Sequence, residues 1–498
     1  MTFWAAFRVL LSTVFGFCLV TAAMAAQKPL VIGMATEPTG LDPTIAAPVA
    51  IGQVTWQNIF EGLVTIDEHG TIQPQLAKSW VISDDGLTYR FTLRQDVRFH
   101  DGEVFNSAVA KASLDRARGD GSVNPQKRFF ATITAIEDPD PASLIIRLSK
   151  PTGNLLYWLA WPSSSILGTK SAANDRTDPI GTGPYQFVRW DKGDKVVLAP
   201  NRDYWDKAHM PKLSGVTFRF ISDPQAEAAA LKAGDVDAFP EFMAPELFDS
   251  FKTDPKLVTV IGNTELKVVA AMNSDLKPFS DKRVRQALMM AVDRKTLVDG
   301  AWSGYGTAIG SHYTPNDPGY IDTTKVLAFN PAKARALLSQ AGYPNGFSFT
   351  LKMPQMTYAT RSAQILQALF ADIGVTMTIE PTEFPGKWIN DVFKAHQYEM
   401  TIIAHAEPMD IDIYSRPDYY FNYHNPAFDN VMNAVEATSD PARQKYLYGK
   451  AQTILAEDVP ALYLFVMPKL GVWNKNLTGL WKNEPIPSNV LRDVSWQD

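Results

Sequence analysis

The stretch "AHAEPMDIDIY" (404–414) places four side chains that could do chemistry close together: His405, Glu407, Asp410 and Asp412. Residues of these types could form a metal site, a carboxylate pair for hydrolysis, a socket for a cationic ligand, or a solvated loop. His405 and Glu407 are two positions apart, so a metal site would need further ligands from elsewhere in the chain. The function therefore depends on the elements that position this stretch.

Recognised catalytic signatures are absent from the sequence. It contains no G-x-S-x-G nucleophile elbow, no G-x-x-x-x-G-K-[ST] phosphate loop and no H-E-x-x-H zinc motif. The seven histidines include no i, i+4 pair. We therefore expect no cofactor and no protein-bound metal.

The N-terminus predicts export. Residues 1–25, "MTFWAAFRVLLSTVFGFCLVTAAMA", carry one charge at Arg8, then an apolar run, then small residues at Ala23 and Ala25. This is the arrangement of a secretory signal peptide cleaved after Ala25, although a retained membrane anchor is the alternative. Cys18, the only cysteine, lies inside this segment, so the predicted mature chain forms no disulfide. We expect a periplasmic protein.

Composition describes an ordinary globular chain. Its 498 residues suggest roughly three domains, and they are 46% hydrophobic and 20% charged, with a formal net charge of −6. A mildly acidic chain without clusters of basic residues is not expected to bind nucleic acid. No apolar stretch after the N-terminal segment approaches the length of a membrane span.

Local patterns predict an α/β protein. "SWVISDDGLTYRFTL" (79–93) is typical of a β-hairpin, with the turn at Asp84, Asp85 and Gly86. Three helices are predicted to begin after an Asx cap followed by proline, and a fourth after Ser280. The three Asx caps are Asp223, Asn330 and Asp440.

Long blocks of the sequence resemble the family 5 extracytoplasmic solute-binding proteins of ABC importers, the group that includes oligopeptide, dipeptide and nickel-chelate binders. The most specific block is "PQLAKSWVISDDGLTYRFTLRQDVRFHDGEVF" (74–105). Further blocks follow in the family's order: "GTGPYQFVRW", "NRDYWDKAHMPKLSGVTFRF", "AALKAGDVDAF", "PFSDKRVRQALMMAVDR", "NPAKARALLSQAGYPNGF" and "NPAFDNVMNAV". The resemblance covers essentially the whole predicted mature chain, and it identifies the fold better than the ligand.

The resemblance implies a two-lobed α/β periplasmic binding protein fold (Venus flytrap, type II), with an extra subdomain in lobe one. The lobes would be joined by crossing strands near "ELKVVAAMN" (265–273) and "YLFVMPKLGVW" (463–473). The implied division is lobe one over 26–265, including a subdomain at about 49–179, lobe two over 266–469, and a return to lobe one over 470–498. Such a receptor closes its lobes on the ligand, and the closed form is recognised by the membrane permease.

The resemblance also implies a ligand site. In peptide-binding members, an acid after the strand equivalent to "YEMTIIA" (398–404) pairs with the ligand's terminal ammonium, and alignment through "HNPAFDN" (424–430) implies that this acid is Glu407. Asp410 and Asp412 are expected to brace the loop more than to touch ligand. The predicted ligand-binding set is Glu407, His405, Glu37, Trp388, Arg416, Phe239 and Asp410.

Departures from the family pattern bear on the ligand. Dipeptide-binding members use an arginine for the ligand carboxylate, but "TLKMPQMTYATR" (350–361) offers none before Arg361. An opine-like amino-acid conjugate therefore fits as well as a short peptide. We predict a monomeric, non-catalytic receptor for a peptide-like small solute with a cationic amine. The alternatives are a receptor for a chelated metal such as nickel, with His405 touching the complex, and a hydrolase using Glu407 and Asp410.

Overall fold

The computed structural model describes residues 28–317, 319–438 and 440–497. The predicted signal peptide, including Cys18, lies outside the described residues. Among the helices described, none is both long enough and apolar enough to cross a bilayer.

The described chain alternates strands and helices. Its strands are β1 (Leu30–Met34), β2 (Val64–Ile66), β3 (Ile72–Pro74), β4 (Ala77–Ile82), β5 (Thr88–Leu93), β6 (Ile133–Asp140), β7 (Ser143–Leu148), β8 (Tyr185–Asp191), β9 (Lys195–Pro200), β10 (Val216–Phe220), β11 (Ala238–Phe239), β12 (Leu257–Gly262), β13 (Lys267–Met272), β14 (Thr307–Ala308), β15 (Ser348–Pro354), β16 (Thr376–Thr382), β17 (Met400–His405), β18 (Ala461–Val466), β19 (Lys469–Asn474), β20 (Leu477–Thr478) and β21 (Ser495–Trp496). Its α-helices are α1 (Val49–Thr55), α2 (Ser107–Arg118), α3 (Leu155–Leu159), α4 (Pro224–Ala233), α5 (Pro245–Phe248), α6 (Lys282–Ala291), α7 (Arg294–Trp302), α8 (Pro331–Gln340), α9 (Thr357–Ala371), α10 (Gly386–Trp388), α11 (Pro426–Glu436) and α12 (Pro441–Asp458).

Two large sheets define two lobes. Lobe one is built on a seven-stranded sheet in the order β12-β19-β11-β1-β10-β9-β8, in which β1 is parallel to both of its neighbours. Lobe two is built on a six-stranded sheet in the order β14-β18-β13-β17-β15-β16. Every residue of β13 and β18 is buried, because these strands lie inside the sheet with cores on both faces. These two sheets confirm the predicted two-lobed α/β fold.

The chain crosses between the sheets at two places. β12 belongs to the lobe one sheet and β13 to the lobe two sheet, so residues 263–266 form the first crossing. β18 belongs to lobe two and β19 to lobe one, so residues 467–468 form the second. The crossings are side by side, since Thr264 Oγ1 donates a hydrogen bond of 2.5 Å to the carbonyl of Met467. The domain boundaries at 26–265, 266–469 and 470–498 remain a prediction.

A separate four-stranded antiparallel sheet, β4-β5-β7-β6, forms the subdomain. The predicted hairpin is present, since β4 pairs with β5 and Gly86 adopts a left-handed φ of 69° at the turn. One face of the sheet packs on α2, and the shared core includes Phe91, Leu114 and Ile146. The short helix α3 follows the sheet and carries Tyr157, which lines a cavity together with lobe two residues such as Asp317.

The predicted Asx caps are confirmed. The side chains of Asp223, Asn330 and Asp440 each accept a hydrogen bond from a backbone N–H in the first turn of α4, α8 and α12. The cap predicted at Ser280 is wrong, because Asp281 occupies that position and accepts from the Arg283 N–H at 2.8 Å. Asp281 also forms an ion pair with Arg283, which a serine could not form.

Candidate functional site

Two strand ends meet between the lobes. β17 lies inside the lobe two sheet and its C-terminal end leads directly to Ala406 and Glu407, while β1 of lobe one leads to Ala35 and Thr36. In α/β folds the carboxyl ends of such strands are where ligand groups are held. The residues after both ends line cavities in the cleft between the lobes.

Three adjoining cavities occupy this cleft. The central cavity, of about 240 Å³, is walled by the end of β1, both crossings and lobe two residues such as Tyr358 and Phe384. The Glu407 cavity, of about 50 Å³, shares Ala406 with the central cavity. The acidic cavity, of about 370 Å³, shares Glu265 with it and also contains Glu68 and Asp317.

Glu407 is held by its backbone while its carboxylate is left without a partner. Its carbonyl accepts a hydrogen bond of 2.6 Å from Lys267 Nζ. The loop continues through Met409, which has a left-handed φ of 53° and donates its N–H to Asp317 Oδ1. Within the part of the chain that the structure describes, the half-buried carboxylate of Glu407 forms neither a hydrogen bond nor an ion pair. It is therefore available to a cationic ligand group.

Asp410 has the opposite character. It begins a short 3-10 helix, Asp410–Ser415, and is buried, with Oδ1 3.2 Å from Lys267 Nζ and 3.1 Å from His312 Nε2. Burial by itself would raise the pKa of Asp410, but the adjacent Lys267 ammonium outweighs it and holds that pKa well below its usual range. Asp410 thus serves as the counter-ion of a buried lysine, which agrees with its expected role as a loop brace.

Lys267 itself is completely buried among acids. Burial would lower its pKa, yet the carboxyl groups of Asp410 and Asp317 keep it raised. Glu265 lies on the same crossing, where burial and the charge of Asp317 raise the Glu265 pKa well above the usual range. Lys267 therefore holds the Glu407 loop at the crossing through an ion pair with Asp410 and a hydrogen bond to the Glu407 carbonyl.

The group His312, His405 and Asp410 has the geometry to hold a metal ion, since one donor atom from each lies within 4.8 Å of the others. Its surroundings oppose that use. The Lys267 ammonium already contacts Asp410, and a metal cation there would face an adjacent fixed positive charge. Burial lowers the pKa of His312 to about 4, and its Nε2 lies 3.1 Å from Asp410 Oδ1.

Tyr157 of α3 reaches this site from the subdomain and lines the acidic cavity. Its hydroxyl is buried and has no hydrogen-bond partner among the described residues. Burial, together with the charges of Glu265 and Asp317, raises the pKa of Tyr157 well above its usual range. A neutral phenol without a partner above a group of acids is suited to contact a ligand.

Two of the predicted site residues lie inside lobe one. Glu37 Oε1 accepts hydrogen bonds from Trp190 Nε1 at 2.9 Å and from the Gly193 N–H at 3.0 Å, which fixes it to the β8–β9 turn. Phe239 is fully buried beneath Gly33, where a Cβ atom would lie 2.1 Å from the phenyl ring. Gly33 lines the central cavity, so Phe239 supports the cavity wall from behind.

The remaining predicted residues lie in lobe two. Trp388 is buried, donates from Nε1 to Thr401 Oγ1 at 2.9 Å and packs edge-on against Phe384, which lines the central cavity. Arg416 binds Asp412 through Nε and a terminal nitrogen. His405 is buried, with Nε2 3.1 Å from the Tyr420 hydroxyl and Nδ1 3.5 Å from Asp410. The structure thus brings His405, Glu407 and Asp410 together, with Trp388 and Phe239 behind the cavity walls.

Sequence reasoning missed the buried lysine and the tyrosine. A signal for Lys267 was available, because "ELKVVAAMN" (265–273) places an acid and a lysine at the start of an otherwise apolar strand. A charge at the start of a fully buried strand must find a partner. Tyr157 carries no comparable signal, since its position depends on how the subdomain meets lobe two.

Comparison with known proteins agrees with this arrangement. Residues 71–457 match the family described as bacterial extracellular solute-binding proteins, family 5 Middle. The glutathione-binding protein GsiB of Salmonella typhimurium (strain LT2) is 31% identical over 478 residues, covering 92% of both chains.

Solved structures show the same fold. AgaA from A. tumefacien R10, in complex with agropinic acid, superposes with a TM-score of 0.81 and 26% identity, covering 94% of this chain and 99% of that one. NikZ from Campylobacter jejuni, in complex with Ni(L-His), gives 0.80 at 24% identity, covering 94% and 99%, a likeness that concerns the fold alone.

These relatives are binding proteins by name, and the two solved structures share the fold of this chain over 94% of its length. The match spans most of the chain. The protein therefore belongs to the family 5 extracellular solute-binding proteins, the receptors of ABC importers.

Proposed function

We propose that this receptor captures a peptide-like or opine-like solute through a cationic amine that pairs with Glu407, and delivers it to the transmembrane subunits of its importer. The observation that carries the proposal is the half-buried, unpartnered carboxylate of Glu407 at the end of β17, inside a cleft closed by both lobes. A charged pair in such a water-poor site is stronger than at the surface.

The mode of action follows from the two crossings. The ligand touches lobe one, the subdomain and lobe two together only when the cleft is closed. Binding therefore favours the closed form by the difference in its affinity for the two states. We propose that the receptor is monomeric, acts in the periplasm after removal of residues 1–25, and returns its ligand chemically unchanged.

The chelated-metal alternative would use His405. In this structure both ring nitrogens of His405 face protein groups, Tyr420 and Asp410, and not the cavities of the cleft. The arrangement therefore gives more support to an amine ligand than to a nickel complex.

Native mass spectrometry of the receptor purified from its own host tests the proposal. We expect a bound small organic solute with a basic nitrogen, whose mass is the same before binding and after release. A nickel complex would favour the alternative, and a hydrolysed product would favour an enzyme.

A further inference from the structure

Carboxyl groups are the main acidic or basic groups that line the central, Glu407 and acidic cavities. The central, Glu407 and acidic cavities contain Glu68, Glu241, Glu265, Asp317, Glu407 and Glu484. Among the residues described, no lysine or arginine lines these three cavities. An adjoining cavity, which shares Met409 with the acidic cavity, contains Arg128, Lys150 and Arg416. Both arginines are paired with Asp412, and Lys150 is paired with Glu436. The central, Glu407 and acidic cavities thus offer little to bind an anionic solute.

The central cavity contains a carboxyl pair, Glu241 and Glu484, that is distinct from Glu407. Glu484 is only 5% exposed, and its Oε2 has no hydrogen-bond partner among the described residues. Lys469 Nζ lies 3.8 Å from that oxygen. Glu241 accepts a hydrogen bond of 2.6 Å from Gln53 Nε2. A buried carboxyl oxygen that accepts no hydrogen bond in a ligand cavity can accept one from a ligand.

Both carboxyl groups line the central cavity. Burial, and after it the neighbouring charge of Glu241, raises the pKa of Glu484 well above its usual range. The Lys469 ammonium, 3.8 Å away, acts in the opposite direction. The raised pKa means that Glu484 takes up a proton more readily than a free carboxyl group does.

The pair is also connected to the first crossing. The Glu484 N–H donates to the carbonyl of Asn263 at 2.8 Å, and Thr264 forms a β-bridge with Glu484. The Glu484 Oε1 atom accepts from the Ser488 N–H at 3.3 Å. A ligand group at Glu484 therefore contacts the segment about which the lobes move.

We propose that the Glu241–Glu484 pair is a second cation subsite, so that the solute carries two basic nitrogens, an amine for Glu407 and an ammonium or guanidinium for this pair. The inference rests on the proposed function, because it takes Glu407 as the first subsite. It predicts a basic peptide-like solute, derived from arginine, lysine or a similar diamine, in place of an acidic one.

A cationic group in the subsite should favour the ionised form of Glu484, and so favour release of a proton to the buffer. The groups that face the pair are Lys469 from β19, Gln53 from α1 and the Ser488 N–H. Gln53 does not titrate, so it cannot take up that proton.

Titration calorimetry with three probes tests the subsite. Alanyl-arginine amide has two cationic groups, alanyl-citrulline amide has nearly the same shape with a neutral side chain, and 1,5-diaminopentane has two ammonium groups alone. The wild type should bind the arginine probe at least about 30-fold more tightly than the citrulline probe. Titrations in two buffers of different ionisation enthalpy should show more proton release with the arginine probe than with the citrulline probe.

Glu484→Gln and Glu241→Gln should each reduce the preference for arginine to within about threefold and lower the proton release seen with the arginine probe. Glu457→Gln, an exposed glutamate on α12, is the matched control. Equal wild-type affinity for both dipeptide probes overturns the subsite and leaves the proposed function standing. Diaminopentane binding that depends on Glu484, without dipeptide binding, supports the subsite and overturns the peptide-like class. Failure of all three probes to bind overturns both.

Discussion

Lys267 and Lys469 occupy matching positions on opposite sides of the cleft: each is the first residue of the strand that follows a crossing, and each is buried beside a carboxyl group. Lys267 begins β13 in lobe two and pairs with Asp410. Lys469 begins β19 in lobe one and lies near Glu484. A buried ammonium is tolerated only with such partners. Each crossing is thus electrostatically connected to the loop or segment that lines the ligand cavities.

The first prediction concerns Glu407. Glu407→Gln retains size and hydrogen bonding but removes the charge, so it should lower ligand affinity by about 2–5 kcal/mol. Stability should be unaffected, because the carboxylate has no described protein partner. Calorimetry with the solute identified by mass spectrometry measures the effect, with Glu457→Gln as control. Wild-type affinity in Glu407→Gln would remove the main support for an amine ligand.

The second prediction concerns the buried pair of Lys267 and Asp410. Asp410→Asn removes the ion-pair partner of the buried Lys267 ammonium and should cost about 3–5 kcal/mol of unfolding free energy. Lys267→Met leaves the opposite charge and should cost a similar amount. The double variant should lose much less than the sum of the two, which urea unfolding measures. Additive losses would mean that the two groups are not coupled.

The third prediction concerns Glu227 on α4, which is 1% exposed with an unpaired carboxyl oxygen. Burial, with Asp223 nearby, raises its pKa from 4.5 to about 8. Between pH 4.5 and about 8, the Glu227 carboxyl group is therefore protonated in the folded protein and ionised in the unfolded chain. Stability from this group is present below pH 4.5 and falls by about 1.4 kcal/mol per pH unit up to the folded pKa. Glu227→Gln should be more stable than wild type at pH 8, and a parallel pH profile in wild type and variant would contradict this.

The fourth prediction concerns closure. Small-angle scattering should show a smaller radius of gyration when the solute is bound. The exposed pair of Lys150 in the subdomain and Glu436 in lobe two forms across the cleft at 2.5 Å. Lys150→Gln should weaken affinity by only about 0.2–1 kcal/mol, with less effect at high salt. An unchanged radius at saturation would count against lobe movement.

The fifth prediction concerns metals. EDTA should leave the melting temperature unchanged, because the Lys267 ammonium opposes a cation at the group of His312, His405 and Asp410. Zinc chloride should likewise bind no more tightly to wild type than to His312→Gln. A marked loss of thermal stability on chelation would show that this group holds a structural metal.

Much of the fold could be predicted from the sequence. Local signals are strong where one residue decides a local hydrogen bond, as with the caps at Asp223 and Asn330. The order of motif blocks was sufficient for the two-lobed class. The cap at Ser280 was wrong because two adjacent residues both have capping side chains, and an ion pair decides between them.

The site was less accessible to sequence reasoning. Glu407 and Asp410 are three residues apart and chemically alike, yet one is unpartnered and the other is paired with Lys267, 143 positions away from Asp410. The difference arises from tertiary contacts that no local pattern records. Glu241 and Glu484 are similarly far apart in the chain and meet only because the C-terminal segment returns to the first crossing.

The acids within the cleft and the ion pairs at its edge are separate sets of residues. Under the proposed function, we expect substitutions at Glu407 or Glu484 to change which solute is held, and substitutions at Lys150 or Glu436 to change how long the lobes stay together. Selectivity and residence time would then vary independently during evolution. A lineage facing a new nutrient can alter the interior while the exterior, and the docking surface presented to the importer, stays the same.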